Sequence, residues 1–427
     1  MTAPWPAALP HPARPDLPAY RDPNVMRWLA AYTATMIGEG IYFLALAWAA
    51  AAIAGPATVG IVMMTGALPK AVLMLAGGVV ADRFGPRRVV IGSDAVRCCV
   101  ILAMAAALYL ASPGLWLLLA VALVFGIVDA LFLPAVGALP PRLTGPAQLA
   151  RVQGMRLLGM RLGNTVGPPA GAAAMALGGP AAAFAAAGGM FALSLPFLLT
   201  LRIAPLTPAD GAGKEEAAAG GGATATGWQD LRAGLRYLVR HRLIGPLVLV
   251  GVTLDLVLNG PLNIGLVLLA GERGWGAAGM AWIVSAFGLG AAASSVLLTV
   301  VGRLPKAGPV ALVAAAGAAV GIGAVGLVPS LLAAAACAAA AGLCAGVAGG
   351  LLAALVQTAA DPAYLGRVMS VFALGTFGLA PLTFPLVGAA IGWWGPEPVY
   401  AACGLLGLAT AAVAAGSGEL RRALLPR

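Results

Sequence analysis

Residues 78–88 read Gly-Val-Val-Ala-Asp-Arg-Phe-Gly-Pro-Arg-Arg, and they place one acid and three arginines between two long apolar runs. The glycine and proline at 85 and 86 favour a tight turn. Apolar runs of about 20 residues are long enough to cross about 30 Å of hydrocarbon as helices. This stretch therefore indicates two membrane-spanning helices joined by a short charged turn at one membrane surface.

The same alternation continues along the chain. The 427 residues are 61% hydrophobic and 9% charged, with a mean hydropathy of +0.95, whereas roughly a quarter of the residues of a soluble protein are charged. Twelve apolar runs cover residues 25–54, 59–81, 89–111, 115–139, 149–177, 180–201, 243–269, 279–301, 309–328, 331–356, 368–392 and 399–416. We predict an all-α integral membrane protein with twelve transmembrane helices in two pseudo-symmetric six-helix bundles.

The basic residues fall almost entirely on one side of the predicted membrane. They are Arg14, Arg21, Arg27, Arg83, Arg87, Arg88, Arg142, Arg151, Arg303, Lys306, Arg367, Arg421, Arg422 and Arg427. Among the basic residues of the predicted loops, only Arg273 falls on the other side. Because positive loops stay in the cytoplasm, we expect both termini there, in a multi-pass protein of the cytoplasmic (inner) membrane. The net charge of +10 then needs no nucleic-acid partner.

Five regions are expected along the chain. They are a cytoplasmic tail (1–24), an N-terminal bundle (25–201), a cytoplasmic linker (202–242), a C-terminal bundle (243–416) and a second cytoplasmic tail (417–427). Within the linker, residues 206–227 are rich in Gly and Ala and are predicted to be flexible. Residues 228–242 alternate apolar and basic positions at helical spacing, which predicts an amphipathic helix on the membrane surface.

An internal repeat relates the two halves. Residues 146–154 (PAQLARVQG) and 362–370 (PAYLGRVMS) lie 216 positions apart. Two parallel six-helix halves with a site between them are typical of transporters. The same separation relates Glu39 to Asp255, and each lies about 20 Å from its helix start, near the membrane centre.

Acids at the membrane centre are costly, so Glu39 and Asp255 are predicted to carry protons, with a structural hydrogen bond as the alternative. Asn259 and Asn263 follow Asp255 at helical spacing, with Pro261 able to bend the helix between them. This face is expected to line a cavity. The expected substrate-cavity residues are Tyr42, Phe43, Lys70, Asn259, Asn263 and Phe377.

The turn at 78–88 resembles the loop signature of the major facilitator superfamily, G-x-x-x-D-R-x-G-R-R, with Pro86 in place of a basic residue. The resemblance implies a gate latch that holds neighbouring helix ends in one state and releases them in another. The latch residues would be Gly78, Asp82, Arg83, Gly85 and Arg87. A purely topological anchor is the alternative.

A glycine pattern in the fifth run resembles the antiporter motif of drug exporters in that superfamily. It comprises Gly159, Gly163, Gly167, Pro168 and Gly171. The resemblance implies export, whereas ordinary close packing of helices is the alternative. Over most of its length the chain is similar to the macrolide-efflux and enterobactin-exporter branch, including SDAVR at 93–97 and DALFLPAVGALPPRL at 129–143.

Further charges lie inside the predicted helices. We expect Asp94, Arg97 and Asp129 to form a gating salt-bridge network with Arg83 or Arg87, and proton binding by Asp129 is the alternative. Lys70 is expected to neutralise Glu39 rather than to bind an anionic substrate. Structural pairing is also expected for Arg156 and Arg161.

These features predict a proton antiporter that exports small apolar or amphipathic molecules, such as drugs or antibiotics, by alternating access. Export of an endogenous metabolite, such as a siderophore, a self-made antibiotic or a lysolipid, is the alternative. The protein is expected to be a monomer in the lipid bilayer without cofactor or metal. His11 and His241 lie outside the spans, and no catalytic constellation or ATP-binding loop is evident. An enzyme, a primary pump and a channel are therefore disfavoured.

Overall fold

A computed structural model describes residues 18–53, 55–111, 114–144, 146–201, 243–301, 306–359 and 379–417, together with 236, 241, 368, 375 and 420. The helices are α1 (Pro23–Ile53), α2 (Pro56–Phe84), α3 (Pro86–Leu110), α4 (Leu115–Gly137), α5 (Pro140–Leu143), α6 (Pro146–Leu199), α7 (Ile244–Gly260), α8 (Leu266–Glu272), α9 (Gly276–Val301), α10 (Ala307–Leu327), α11 (Leu331–Ala359), α12 (Leu379–Trp394) and α13 (Pro396–Ala415). A 3₁₀ turn (Ala19–Arg21) precedes α1, and a π-helical turn (Pro261–Gly265) joins α7 to α8.

The all-α prediction is confirmed. Ten helices among the described residues are long and apolar enough to cross a membrane. One of them bends at Gly178 and Gly179, where the backbone leaves the helical region, and Leu379–Trp394 adds a shorter apolar helix. The described part of the chain thus supplies the twelve apolar segments that the hydropathy pattern predicts. Helices are suited to this environment because they satisfy their own backbone polar groups.

Four helices begin at the proline of a Gly-Pro pair in the sequence, at Pro56, Pro86, Pro146 and Pro396. Proline suits the first helical position because its missing N–H would have no partner there. The glycine at 85 has φ +84°, a conformation that a side chain would strain. The charged turn at 78–88 therefore reverses the chain within one residue, between the end of α2 at Phe84 and the start of α3.

Helix ends collect on two faces of the bundle. On the face that we call the terminus face, α1 begins and α13 ends, and Arg87 Nη2 donates to the carbonyl oxygen of Leu199 at the end of α6, at 2.6 Å. On the opposite face, which we call the distal face, Arg273 donates to the carbonyl oxygen of Gly326 at 2.7 Å and to Glu397 Oε1 at 2.8 Å. Arginines thus tie together helix ends that are remote in sequence.

Both arms of α6 pack against α1. A Cβ atom added to Gly40 would lie 3.1 Å from the Cα of Gly167, in the first arm. A Cβ atom added to Gly38 would lie 3.0 Å from the Cβ of Met190, in the second arm. Because one turn of α1 touches both arms, the arms lie side by side and the chain reverses at Gly178–Gly179.

The two halves meet through α2 with α12 and through the first arm of α6 with α9. The separation of 216 residues maps α2 onto α9 and the first arm of α6 onto α12. These two contacts are therefore equivalent under the internal repeat. A Cβ atom on Gly388 would lie 2.5 Å from the carbonyl oxygen of Pro56 at the distal face, and Ser285 Oγ donates to the carbonyl oxygen of Thr165 at 2.8 Å.

Several predicted features lie outside the described residues. They are most of the tails (1–17 and 418–427, apart from 420), the flexible linker (206–227), the amphipathic segment (228–242, apart from 236 and 241), Gly302 to Pro305, and the second copy of the repeated nonapeptide, apart from residue 368.

Candidate functional site

Five charged side chains meet inside the N-terminal half, contributed by four helices. They are Glu39 from α1, Lys70 from α2, Asp94 and Arg97 from α3, and Asp129 from α4. We call this set the buried charge cluster. Its side chains come from the interior of long apolar helices rather than from helix ends. Charges at such a depth must be paired with one another to be tolerated.

Arg97 is the central cation of the buried charge cluster. Its guanidinium lies 3.4 Å from Asp94 Oδ1 through Nη1 and is in contact with Asp129 Oδ1 through Nη2. Phenylalanine rings also surround it, with centroids 5.1 Å away for Phe125 and 4.2 Å away for Phe132. The side chain of Arg97 is fully buried, so ion pairs and ring faces take the place of water around it.

Asp94 is held by hydroxyl groups as well as by Arg97. Thr35 Oγ1 donates to Asp94 Oδ2 at 2.7 Å, and Ser194 Oγ donates to the same oxygen at 2.5 Å. These hydroxyls come from α1 and from the second arm of α6. Asp94 therefore ties three helices together, and its carboxylate is fully satisfied in a buried position.

Lys70 joins the remaining two acids. Its Nζ contacts Asp129 Oδ2 and lies 3.7 Å from Glu39 Oε1. The expected structural pairing of Lys70 with Glu39 is thus present, and Asp129 shares the same ammonium group. Within the described residues, Glu39 has the longest ion pair of the three acids. Its side chain is also the most exposed, at 16% against 3% for Asp129 and 0% for Asp94.

The expected contact between Asp129 and Arg83 or Arg87 is wrong. Asp129 pairs with Lys70 and Arg97, because it lies eight residues, or about 12 Å, before the end of α4. Asp94 and Arg97 belong to the same interior cluster and not to the turn. Arg83 is exposed and packs over the ring of Phe84.

The turn at 78–88 keeps one contact of the kind expected for a latch. Arg87 donates to the last carbonyl of α6, where a cation is favourable near the negative end of the helix dipole. Gly78 lies in α2, and Gly85 forms the turn before Pro86. The side chain of Asp82 lies outside what the structure describes.

Two adjoining cavities lie between the halves. The first, of about 260 Å³, is lined by Gly40, Phe43, Leu44, Met63, Arg161, Asn164, Pro168, Leu262, Asn263, Met280, Val284, Phe287, Gly288 and Ala291. The second, of about 250 Å³, is lined by Tyr42, Phe43, Leu46, Met63, Gly66, Ala67, Lys70, Ala71, Phe125, Gly126, Asp129, Asn259, Asn263, Ala380, Pro381 and Phe384. Both are mostly apolar with a few polar groups, which is typical of sites for small organic molecules. Phe43, Met63 and Asn263 line both cavities.

The buried charge cluster opens onto the second cavity. Lys70 and Asp129 line its wall beside Tyr42 and Phe125, whose rings stack at a centroid distance of 3.9 Å. A molecule in this cavity therefore lies next to the cation that Glu39 and Asp129 share.

In the C-terminal half, the asparagines at the end of α7 and in the following π-helical turn line the cavities. Asn259 and Asn263 donate to the carbonyl oxygens of Asp255 and Asn259 at 3.0 and 2.9 Å. The helix widens into the π-helical turn at Pro261, whose carbonyl accepts a hydrogen bond from the Tyr400 hydroxyl at 2.9 Å. Asp255 is half-buried and lines neither cavity. Phe377 lies outside the described residues.

The glycine stripe of α6 faces α1. A Cβ atom on Gly163 would lie 2.4 Å from the Cβ of Met36, and one on Gly159 would lie 2.7 Å from Thr33 Oγ1. A Cβ atom on Gly167 would lie 3.0 Å from the Cα of Gly40, and one on Gly171 would lie 3.2 Å from the Cα of Ile41. The absence of side chains therefore lets α6 press against the helix that carries Glu39.

Gly163→Ala is expected to destabilise the protein by about 1–3 kcal/mol, because the added methyl group overpacks the α1 contact. Gly154→Ala, in the same helix, is the matched control, since nothing lies within 4 Å of its added Cβ atom. That control is expected to be neutral or slightly stabilising, as alanine favours helix over glycine. Thermal unfolding of both purified variants in detergent measures the difference, and equal midpoints would contradict the packing.

Some site residues have no counterpart in the sequence predictions. Thr35 and Ser194 were not expected to bind Asp94, from which they are separated by 59 and 100 positions. Asn164 was not expected at the first cavity, although it follows Arg161 by three positions and so shares its helix face.

Comparisons with known proteins agree with this architecture. Residues 28–375 match the Major Facilitator Superfamily. The chain is 27% identical over 319 residues to the enterobactin exporter EntS of Escherichia coli, covering 74% of this chain and 72% of that protein.

Solved structures with the same fold include a bacterial homologue of the human lysosomal transporter Spinster in an inward-facing, occupied conformation. Its TM-score is 0.66 at 13% identity, over 93% of this chain and 97% of that one. The nucleoside transporter NupG gives a TM-score of 0.69 at 14% identity, over 92% and 99%. The family match over most of the chain, the twelve apolar segments and the paired halves around a cavity lead to one conclusion: this protein is a membrane transporter, not an enzyme, and it belongs to the Major Facilitator Superfamily.

Proposed function

We propose that the protein exports small apolar or amphipathic molecules across the cytoplasmic membrane in exchange for protons. The observation that carries the proposal is the buried charge cluster beside the second cavity. It holds three acids and two cations, so its charge is −1 when all five groups are ionised. Uptake of one proton makes it neutral, which is favourable in an apolar surrounding.

Glu39 is the preferred proton acceptor. Asp94 has two hydroxyl donors and Arg97, and Asp129 contacts two cations, whereas Glu39 has the 3.7 Å contact with Lys70 and the largest exposed fraction. Protonation costs a carboxylate its attraction to neighbouring cations, and this cost is smallest for the acid with the most distant cation. Asp129 is the second candidate, because it lines the cavity, and Asp255 is the third.

Lys70 provides the link between proton and substrate. It faces the second cavity and is shared by Glu39 and Asp129. When Glu39 is protonated, Lys70 loses one partner and turns entirely to Asp129. A substrate beside Lys70 therefore meets a different charge distribution in the two protonation states, and such a difference in affinity is what coupling requires.

We propose that the terminus face lies in the cytoplasm. Basic residues on the terminus face, such as Arg83, Arg88 and Arg142, favour placing that face in the cytoplasm. Arg273 on the distal face is already engaged by Glu397 and by helix-end carbonyls. The contacts between the halves at Gly388 and Ser285 lie toward the distal side, which suits a state loaded from the cytoplasm.

The relationship to the enterobactin exporter and the α1–α6 glycine stripe support export rather than uptake. The name of that relative also favours a second candidate function, the export of one endogenous metabolite such as a siderophore. The same panel of compounds distinguishes the two, because a general drug exporter accepts several unrelated molecules and a dedicated exporter accepts one.

The experiment is accumulation by everted membrane vesicles that contain the protein. Energising the membrane acidifies the vesicle interior, and we expect uptake of at least one compound of a drug panel that collapses when a protonophore is added. Vesicles carrying Lys70→Met, which disconnects the cavity from Glu39, should lose this uptake. Uptake that needs no energy, or none for any compound of the panel, would contradict proton-driven export.

A further inference from the structure

The first cavity contains a cation whose charge no group of the described chain balances. Arg161 lines this cavity, and its Nε is buried without a hydrogen-bond partner. Among the described residues it forms no ion pair. The expected structural pairing of Arg161 is therefore not found there.

Four other buried or half-buried cations have partners within the described chain. Lys70 and Arg97 contact acids of the buried charge cluster. Arg87 binds the end of α6, and Arg273 binds Glu397. Lys70 also faces a cavity, but acids already balance its charge. Arg161 differs in facing a cavity without an acid partner among the described residues, so a group that enters the first cavity can reach it.

The position of Arg161 on α6 explains its access. The glycines of this helix face α1, whereas Arg161, Asn164 and Pro168 face the first cavity. Asn263, in the π-helical turn after α7, lies across the same cavity. One guanidinium and two amides thus face a space that is otherwise walled by side chains such as Phe43 and Phe287.

A guanidinium in an apolar cavity is costly unless an anion or water satisfies it. Carboxylates match it well, because two parallel hydrogen bonds can form between the fork of arginine and the two oxygens. The asparagine amides can donate further hydrogen bonds to the same group. The aromatic walls suit a flat apolar body attached to it.

We propose that Arg161, with Asn164 and Asn263, binds the carboxylate of an aromatic acid, so that the transported molecules include amphipathic anions. This inference rests on the proposed function and names a substrate class for it. Arg161 is then a specificity-determining residue in the first cavity, while the proton is carried by the buried charge cluster on the other side of Phe43 and Met63.

The test is equilibrium binding of 2-naphthoate and 2-naphthamide to the purified protein in lipid nanodiscs, with empty nanodiscs subtracted. The two compounds share their ring system and differ in charge. The wild type should bind the acid about tenfold more tightly than the amide, as expected for a charge-assisted hydrogen bond. Arg161→Gln should lose this preference and still bind the amide, and Arg161→Lys should keep part of it.

Arg156→Gln is the matched control, since it removes the same charge from the same helix at a position that lines neither cavity. It should keep the preference of the wild type. A wild type that binds the acid no more tightly than the amide, or an Arg161→Gln variant that keeps the preference, would overturn the inference. Energised uptake of a neutral compound by everted vesicles would then still support proton-driven export, so the two failures are distinguishable.

Discussion

Replacing Glu39 by Gln is expected to abolish accumulation driven by a proton gradient while leaving exchange of labelled for unlabelled substrate intact. Glutamine keeps the size of the side chain and its hydrogen-bonding groups, but it cannot bind and release a proton. Because the neutral side chain mimics the protonated cluster, the halves can still move around a bound substrate. The coupled step is lost, and accumulation should fall to the level of vesicles without the protein.

The measurement uses one preparation in liposomes and two assays, gradient-driven uptake and counterflow. Asp255→Asn is the matched variant, since it neutralises the acid that corresponds to Glu39 in the other half. Because Asp255 lines neither cavity, it should retain substantial gradient-driven uptake. If Glu39→Gln accumulates substrate like the wild type while Asp129→Asn or Asp255→Asn does not, the proton site has been assigned to the wrong acid.

Arg97→Met is expected to be the most destabilising single substitution in the buried charge cluster, at about 3–5 kcal/mol, the usual cost of removing one partner of a buried ion pair. Methionine has the length to fill the space beneath the rings of Phe125 and Phe132. It leaves Asp94 with hydroxyl partners alone and takes one of two cations from Asp129. Thermal unfolding of the purified protein in detergent provides the measurement.

Two further variants separate charge from packing. Arg83→Met makes the same replacement at an exposed position of the turn and is expected to be neutral within about 0.5 kcal/mol. Arg97→Met combined with Asp94→Asn removes one charge of each sign and should recover part of the lost stability, because Thr35 and Ser194 can donate to the asparagine oxygen. An Arg97→Met variant as stable as Arg83→Met would contradict the structural role of the ion pairs.

The helices were predictable because hydropathy and the Gly-Pro starts are local properties of the chain. The turn at Gly178–Gly179 between the two arms of α6 was anticipated as a break between apolar runs for the same reason. The repeat also relates the two contacts between the halves. The contact of α2 with α12 is equivalent to the contact of α9 with the first arm of α6.

The partners of buried charges were only partly predictable. Depth along a helix can be counted from the sequence, so the central position of Lys70 and its pairing with Glu39 could be anticipated. The depth of Asp129 in α4 separates it from the turn that holds Arg87. The packing of the helices then decides which side chains meet at that depth, and Asp129 meets Arg97 there. The hydroxyls of Thr35 and Ser194 become partners of Asp94 through the same three-dimensional packing.

The two acids that the repeat relates also have different surroundings. Glu39 joins the buried charge cluster, whereas Asp255 lies in α7 outside both cavity walls and its backbone carbonyl accepts the hydrogen bond of Asn259. Among the described residues, a cluster of five charges is seen in the N-terminal half, beside the second cavity. The position of this cluster beside the second cavity is the reason for proposing the proton site in the N-terminal half.

The most direct test of proton exchange at Glu39 is the internal pH of liposomes that contain the purified protein and are loaded with a transported compound. When the liposomes are diluted into compound-free medium, the outward substrate gradient should drive protons in the opposite direction, and the interior should acidify. Acidification is expected for the wild type and no acidification for Glu39→Gln. Substrate efflux from wild-type liposomes without any change of internal pH, or equal acidification with Glu39→Gln, would contradict it.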